Sequence, residues 1–364
     1  METFVIIFSF VYALNFLLLT FGLLFSKKKS LPNNFLPDVS VIVAAKNEEK
    51  NISQCIESLL KIDYPNGKIE IILVNDNSSD RTGEIMKGFV SSDNRLKYFV
   101  PEISKGKLKG KVNALNQAIK ISKGEIIFTT DADIIVKPSW VKEMIKYYDN
   151  STGIVSSYSV IQPKGLFEGI QSVDWLFLLS VACGSYYYNA PVSCLGNNMS
   201  FRRKAYDEVG GFEGIDFSVT EDFILLQSVV RKTKWKAKYP LDKKIVNQTF
   251  ACETVKELLN QKKRWAVGGM GIFTWGTVSG VLILCSSILL MTLLLFVPTN
   301  IFLFFLLSKV IVDFIFLLPT MITYKLFKGL VYFILFEIYV PIYFIITTLR
   351  VIFSKRILWK EEKI

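Results

Sequence analysis

The sequence predicts an α/β domain with a mostly parallel sheet, joined to an α-helical membrane region. Three observations predict it. Between Asp38 and about Tyr239, short β-branched runs alternate with segments of helical apolar spacing, the pattern of a parallel sheet covered on both faces. Long apolar stretches stand at the N-terminus and through the C-terminal region, each of bilayer-crossing length. Hydrophobic residues make up 51% of the 364, too many for an ordinary soluble domain.

The elements follow in order. Thr3 to Phe25 is an uncharged apolar run with no basic segment before it and no small-residue cleavage site, and Lys27-Lys28-Lys29 comes after it. This reads as an uncleaved anchor over residues 1–26, with the next domain on the cytoplasmic side. Leu31 to Pro37, with two prolines and two asparagines, is the linker. Val39 to Val43 is a first strand, and Glu48 to Ile62 a helix with apolar residues at Ile52, Ile56, Leu59 and Leu60. Ile69 to Val74 is a second strand, Thr82 to Phe89 a helix, Lys97 to Val100 a short strand and Val112 to Ile121 a helix. Ile126 to Phe128 is the central strand of a domain running over residues 38–250. No GxGxxG follows the first strand, which disfavours a dinucleotide-binding domain.

Leu166 to Val181 is rich in large apolar residues and reads as a helix in the membrane interface or packed on the domain. Residues 251–275 hold a charged helix, Cys252 to Trp265, along the membrane surface. Over 276–350, Thr277 to Phe296, Ile301 to Tyr324 and Leu330 to Leu349 are long enough to cross. Pro298-Thr299-Asn300 suits an outer turn, and Lys325 with Lys328 an inner one. A full third crossing would carry Arg350, and with it Lys355, Arg356 and Lys360 of the basic tail 351–364, outward against the positive-inside tendency. Either this stretch breaks near Pro341 and returns, or the tendency fails. Lys309, Asp313 and Glu337 lie inside apolar stretches, where charge needs a partner: structural pairing and acceptor lining are both open.

The formal charge of +11 collects beside apolar segments, so a membrane surface accounts for it better than nucleic acid does. Five cysteines without CxxC spacing argue against zinc and against a disulfide framework. Histidine is absent altogether, which excludes a Ser-His-Asp triad and a histidine base. Any base here is a carboxylate.

The central strand leads into Thr129-Thr130-Asp131-Ala132-Asp133. Open α/β sheets bind ligands at the carboxyl ends of their strands, and side chains two apart on extended chain point the same way, so both carboxylates can face one Mg²⁺ or Mn²⁺. Alone, this is also a polar turn before Pro138. Asp76, in Asn75-Asp76-Asn77-Ser78-Ser79-Asp80 after the second strand, can accept from a nucleobase or ribose. Lys109 and Lys111 at a helix start can hold a diphosphate, or remain solvated. Asp222 in Thr220-Glu221-Asp222 can serve as a base for a hydroxyl, or merely cap the helix from Phe223. Gln261-Lys262-Lys263-Arg264-Trp265 can reach a donor, or form a basic interfacial helix.

Together these residues resemble the cytoplasmic domain of a membrane-bound family 2 glycosyltransferase. The resemblance runs from about Val39 to Gly269 and rests on Asn47-Glu48-Glu49, Asp76 to Asp80, Lys111-Val112-Asn113-Ala114-Leu115-Asn116, DAD, Thr220-Glu221-Asp222 and QxxRW in order. It implies a GT-A fold that binds a nucleotide sugar, usually a uridine diphosphate sugar, together with a divalent cation, Mg²⁺ or Mn²⁺. By position, Ala44, Glu48, Asp76, Lys111 and Asp131 would border the nucleotide, Asp133 would ligate the metal and Asp222 would be the base. Gln261, Arg264 and Trp265 would cover the donor, and Asn197, Asn198 and Glu221 would stand on the acceptor side. Ala44-Ala45-Lys46 departs from the proline and the tyrosine or arginine that many members carry there. The resemblance implies an inverting enzyme. A lipid acceptor, such as a ceramide, diacylglycerol or polyprenyl carrier, fits three C-terminal stretches better than a polymer channel does, whereas QxxRW is prominent in processive polysaccharide synthases. A silent membrane scaffold would carry degenerate motifs, and a transporter would not place every motif in its polar domain.

Overall fold

The computed structural model describes residues 2–26, 35–104, 106–296, 298–327, 329–354, 358–359 and 362–363. Lys27-Lys28-Lys29, most of the expected linker (31–34), Lys328 and the tail residues Lys355, Arg356 and Lys360 lie outside the described residues.

The chain begins with α1 (Glu2–Phe25), then alternates β1 (Val39–Ala45), α2 (Ile52–Leu60), β2 (Ile69–Asn75), α3 (Thr82–Val90), β3 (Leu96–Phe99), α4 (Gly110–Ile121), β4 (Ile126–Asp131) and α5 (Trp140–Ile145). There follow β5 (Thr152–Ser156), β6 (Ser159–Ile161), α6 (Leu166–Tyr186), β7 (Met199–Arg202), α7 (Arg203–Glu208), α8 (Gly211–Gly214), α9 (Glu221–Lys232), β8 (Lys236–Lys238) and β9 (Asn247–Thr249). The chain continues through α10 (Val255–Gly268), α11 (Trp275–Phe296), α12 (Thr299–Tyr324) and α13 (Gly329–Phe353), and ends on a small hairpin of β10 (Leu358–Trp359) and β11 (Glu362–Lys363).

Among the described residues seven strands form one sheet in the order β3-β2-β1-β4-β7-β5-β8. β3, β2, β1 and β4 are parallel, and β7 runs antiparallel between β4 and β5. Alternation divides the faces. Val39, Val41 and Val43 meet α2 and α5, whereas Ile42 and Ala44 meet α4 and a core that continues into α1, α6, α12 and α13. The sheet's second face is thus the surface on which the membrane helices sit.

The expected alternation of strands and helices is present through β4, but β5 to β9 escape the sequence pattern. Their cause is chemical: Thr152, Ser156, Ser200 and Arg202 are buried there with polar partners, so the strands do not read as apolar runs. Arg202, for example, donates to Glu125 Oε1 at 2.5 Å and to two backbone carbonyls, Thr152 O and Asp149 O.

Among the described residues five helices, α1, α6, α11, α12 and α13, are long and apolar enough to cross a membrane. α6 does not carry the chain away from the sheet. The chain leaves β6 to enter it and is back by Leu195, whose N–H donates to Ser156 Oγ at 3.1 Å. Along the way Gly184 lies against the backbone of Leu19 in α1, an approach that a side chain would block. α13 passes Pro341 as one continuous helix. Its start brings Tyr332 over Gly169 of α6, and near its end Arg350 Nη2 donates to Asn260 Oδ1 of α10 at 2.8 Å. Arg350 therefore stays beside α10 and is not carried away from it by the full length of α13. Lys309 Nζ sits 2.7 Å from Asp313 and 2.6 Å from Glu337, and Tyr12 donates to Asp313 at 2.8 Å. This cluster ties α1, α12 and α13 together away from the large cavity described below, so its role is pairing and not acceptor lining.

Candidate active site

The parallel strands bring their carboxyl ends to one edge. Ala44 is in register with Asp131, and Ala45 with Asn75. Just beyond, Asp76 N–H donates to Ala45 O at 2.8 Å, which turns the buried Asp76 into the edge. Two loops lock there. Asn47 Oδ1 accepts from Ser79 N (2.9 Å), Asp80 Oδ2 from Glu49 N (3.1 Å) and Thr82 Oγ1 from Glu48 N (2.8 Å). Asn47 and Asn77 take up positive φ (53° and 52°), a conformation asparagine tolerates better than most residues. The two short motifs read separately in the sequence are thus one interlocked corner that presents Glu48 and Asp76.

Lys111 lies in the first turn of α4. Its Nζ is 2.6 Å from Asp131 Oδ1 and 2.8 Å from Glu221 Oε1, so one cation joins the end of β4 to the start of α9. Those two carboxylates outweigh burial and hold the Lys111 ammonium charged well above the usual lysine range. Asp133 has the opposite fortune: burial, then Asp131 and Glu48 nearby, push its carboxyl up to about 7.

The threonines of β4 do a second job. Thr129 Oγ1 donates to Gly196 O (2.8 Å) and Thr130 Oγ1 to Asn197 O (3.0 Å), which fixes the loop before β7. That loop returns a backbone donor: Gly196 N–H bonds Asp222 Oδ2 at 2.7 Å, while Asp222 Oδ1 accepts from Phe223 N–H at 2.8 Å. Burial and neighbouring Glu221 raise the Asp222 carboxyl to about 6 even so. A carboxylate oriented by two amides, with a raised pKa, is suited to accept a proton near neutrality. Asp222 is the second residue of α9; Thr220 stands at the cap position without a side-chain cap bond, and the Asp222 carboxylate turns to Gly196 and Phe223 N–H.

α10 supplies the remaining wall. Trp265 packs on Trp175 of α6 with ring centroids 5.0 Å apart, and Lys262 Nζ is 4.9 Å from the Trp265 ring. The ion-paired and aromatic groups of this edge line one cavity of about 1130 Å³. Its lining includes Ala44, Glu48, Asp76, Lys111, Asp131, Asp133, Asn197, Glu221, Asp222, Gln261, Arg264 and Trp265 from the sequence-expected set. Beyond them it continues into an apolar wall of Leu178, Val181 and Ala182 on α6, Met270 and Phe273 before α11, and Phe344, Val351 and Ile352 on α13.

Two expectations change. Asn198 is fully buried and its amide is spent on the fold: Oδ1 accepts from Trp140 Nε1 (2.8 Å), and Nδ2 donates to Tyr158 O (2.6 Å) and Ile245 O (3.0 Å). Its side chain is not part of the cavity lining. Glu221 is on the wall, yet its carboxylate pairs with Lys111 toward the donor edge. Sequence reasoning missed Thr129, Thr130 and Gly196 as the grip on Asp222. The threonine pair directly before DAD was the available signal, because two hydroxyls at the end of a buried strand need acceptors.

Among the described residues no cluster of three or more Asp, Glu or Cys could hold a metal by itself. Asp131 and Asp133 nevertheless face one cavity, where burial and then the neighbouring carboxylates Asp131 and Glu48 raise Asp133. Two hard-oxygen donors facing an open cavity would fit Mg²⁺ or Mn²⁺.

Comparison with known proteins follows the same residues. A family model described as glycosyl transferase family 2 matches residues 40–210, and one described as glycosyl transferase family group 2 matches residues 126–347. A beta-monoglucosyldiacylglycerol synthase of Trichormus variabilis is 31% identical over 245 residues, covering 64% of this chain and 49% of that protein. A poly-beta-1,6-N-acetyl-D-glucosamine synthase of Staphylococcus epidermidis is 26% identical over 247 residues, covering 66% and 57%. The chain thus spans about half the length of the curated relatives it matches. A mannosyltransferase of Pyrobaculum calidifontis, solved in complex with GDP-Man and Mn²⁺, superimposes with a TM-score of 0.63 at 17% identity over 89% of this chain and 98% of that one, which is a likeness of fold.

Proposed function

Because the chain belongs to glycosyltransferase family 2, we propose that it moves one hexose from a uridine diphosphate sugar to the hydroxyl of a membrane lipid, with inversion. The observation that carries this reading is the single cavity that runs from the carboxylates at the sheet edge to an apolar wall built by α6, α11's approach and α13. A sugar donor suits the first end and an acyl or prenyl chain the second. The relative named as a glucosyldiacylglycerol synthase supports the lipid reading.

In this mechanism Asp76 and Glu48 border the nucleotide. Lys111 and Arg264 take up charge as the diphosphate leaves, each worth on the order of 4 kcal/mol at about 4 Å and an effective dielectric of about 20. Asp131 and Asp133 would hold a divalent cation, which when bound supplies further charge stabilisation to the leaving diphosphate. Asp222, held by Gly196 and Phe223, takes the acceptor proton as the lipid oxygen attacks the anomeric carbon from the face opposite the leaving group. Inversion follows, with no covalent intermediate.

The test is nucleoside diphosphate release by the membrane-reconstituted protein over a panel of uridine diphosphate sugars, with Mn²⁺, Mg²⁺ or chelator, beside Asp222→Asn. Lipid extracts are read by mass for one added hexose. Asp222→Asn should lower turnover roughly 10²–10⁴-fold and spare donor binding; unchanged turnover removes Asp222 from the role. A second reading, a processive polysaccharide synthase, draws on the QxxRW helix and on the relative named for a polymer product. A ladder of longer products in the same assay would select it.

A further inference from the structure

Lys262 lies inside the Gln261–Trp265 motif and lines the cavity, so proximity alone would assign its charge to the donor diphosphate. Its partner lies elsewhere. Lys262 Nζ forms an ion pair with Asp174 of α6, and both side chains are almost fully buried, at 5% and 3% exposure. The ammonium also stands over two rings, Trp265 at 4.9 Å and Tyr343 of α13 at 5.2 Å.

Asp174 belongs to a short polar stripe on an otherwise apolar helix. One turn before it, Gln171 pairs with the backbone of Cys252 in both directions, accepting from its N–H at 2.9 Å and donating to its carbonyl at 3.1 Å. One residue after it, Trp175 packs on Trp265. The spacing 171, 174, 175 puts all three on one helical face, and that face meets α10 together with the chain just before it. A carboxylate buried on α6 is costly unless it is paired, and removing one partner of such a pair typically leaves an uncompensated charge. The pair therefore acts on what it holds: it closes α6 onto α10, which sets Trp265 against Trp175 and carries Arg264 one residue before it on the same turn.

We infer that Asp174 and Lys262 are a positioning pair that holds Arg264 and Trp265 at the donor end of the cavity, with the Lys262 charge committed to α6 and not to the substrate. This rests on the donor reading given above. It makes the α6 surface, through Gln171, Asp174 and Trp175, part of the donor site although Asp174 touches no donor group. It also makes a specific statement about charge: what matters at position 262 is neutrality of the pair as a whole.

The experiment uses the full chain reconstituted in membranes, with Lys262→Met, Asp174→Asn, the double variant and Lys262→Arg. Turnover and donor KM are measured per folded protein, and the affinity for uridine diphosphate is measured without acceptor. Each neutralising single change should lower kcat/KM for the donor about tenfold or more, mostly through KM. The double variant, which buries no net charge, should recover to within about threefold of the unsubstituted protein, and Lys262→Arg should stay close to it. Were Lys262 a donor ligand, the double variant would remain as low as Lys262→Met, which overturns the inference. A purely structural pair would cut the folded amount or its thermal stability and leave donor KM alone, which also overturns it. Should the singles fold poorly, the double and Lys262→Arg still separate these outcomes. Unsubstituted protein that turns over no donor would refute the donor reading and the pair with it; normal turnover with unaffected variants refutes the pair alone.

Discussion

Gly196→Ala is the sharpest probe of the base. A Cβ at this position would lie 3.2 Å from both Cβ and Oδ2 of Asp222, closer than side-chain carbons normally sit, and Gly196 has no positive φ that alanine would strain. The change therefore acts through contact: it pushes the Asp222 carboxylate back by a few tenths of an ångström and weakens the 2.7 Å bond from Gly196 N–H. A hydrogen bond to a charged group contributes roughly 1.5–3 kcal/mol. Displacing the carboxylate from the line of proton transfer at a cost of about 1.4 kcal/mol in the transition state lowers kcat about tenfold. The pH profile gives a second reading. Asp222 works deprotonated, and its carboxyl stands at about 6 because burial and then Glu221 raise it while Gly196 and Phe223 N–H lower it. Turnover should fall as pH drops through about 6, and weakening a bond that favours the charged form should move this acid limb upward by about one pH unit. The assay is steady-state nucleoside diphosphate release from pH 5 to about 8, with donor affinity measured in parallel. A variant with an unmoved acid limb and unchanged kcat would refute the argument that Gly196 orients the base.

Other consequences are simpler to test. Asp133→Asn should reduce turnover by about 10²-fold and raise the Mn²⁺ or Mg²⁺ concentration needed for half-maximal release, and chelator should silence the unsubstituted protein. Metal titration reads both, and equal metal requirement in the two proteins would exclude Asp133 as a ligand. Lys309→Met leaves Asp313 and Glu337 buried without their cation, at a cost of roughly 3–5 kcal/mol, and thermal unfolding in detergent should register it as a lower midpoint. Trp140→Phe removes the donor to Asn198 Oδ1 and opens a gap at a fully buried site. About 1–3 kcal/mol of stability should go, with donor KM changed by less than about threefold.

The sequence alone determined the strands and helices through β4, the long apolar helices and the ligand edge. Ile126 to Phe128 ends in two carboxylates because a buried parallel strand must be apolar and its ligand edge must not be. Membrane helices announce themselves by length and composition, since a bilayer accepts little else. Local periodicity reaches no further than one helix or strand, and three features lay beyond it. The insertion of β7 antiparallel between β4 and β5 places Gly196 on Asp222 and sinks Asn198, an apparent acceptor residue, into the core. The fold of α6 onto α10 commits Lys262 to Asp174. The course of α13 returns Arg350 to Asn260, which the charge pattern could pose as a conflict but not resolve. In each case the deciding contact joins residues far apart in sequence, and only closure of the chain around a shared core selects which polar groups must satisfy one another.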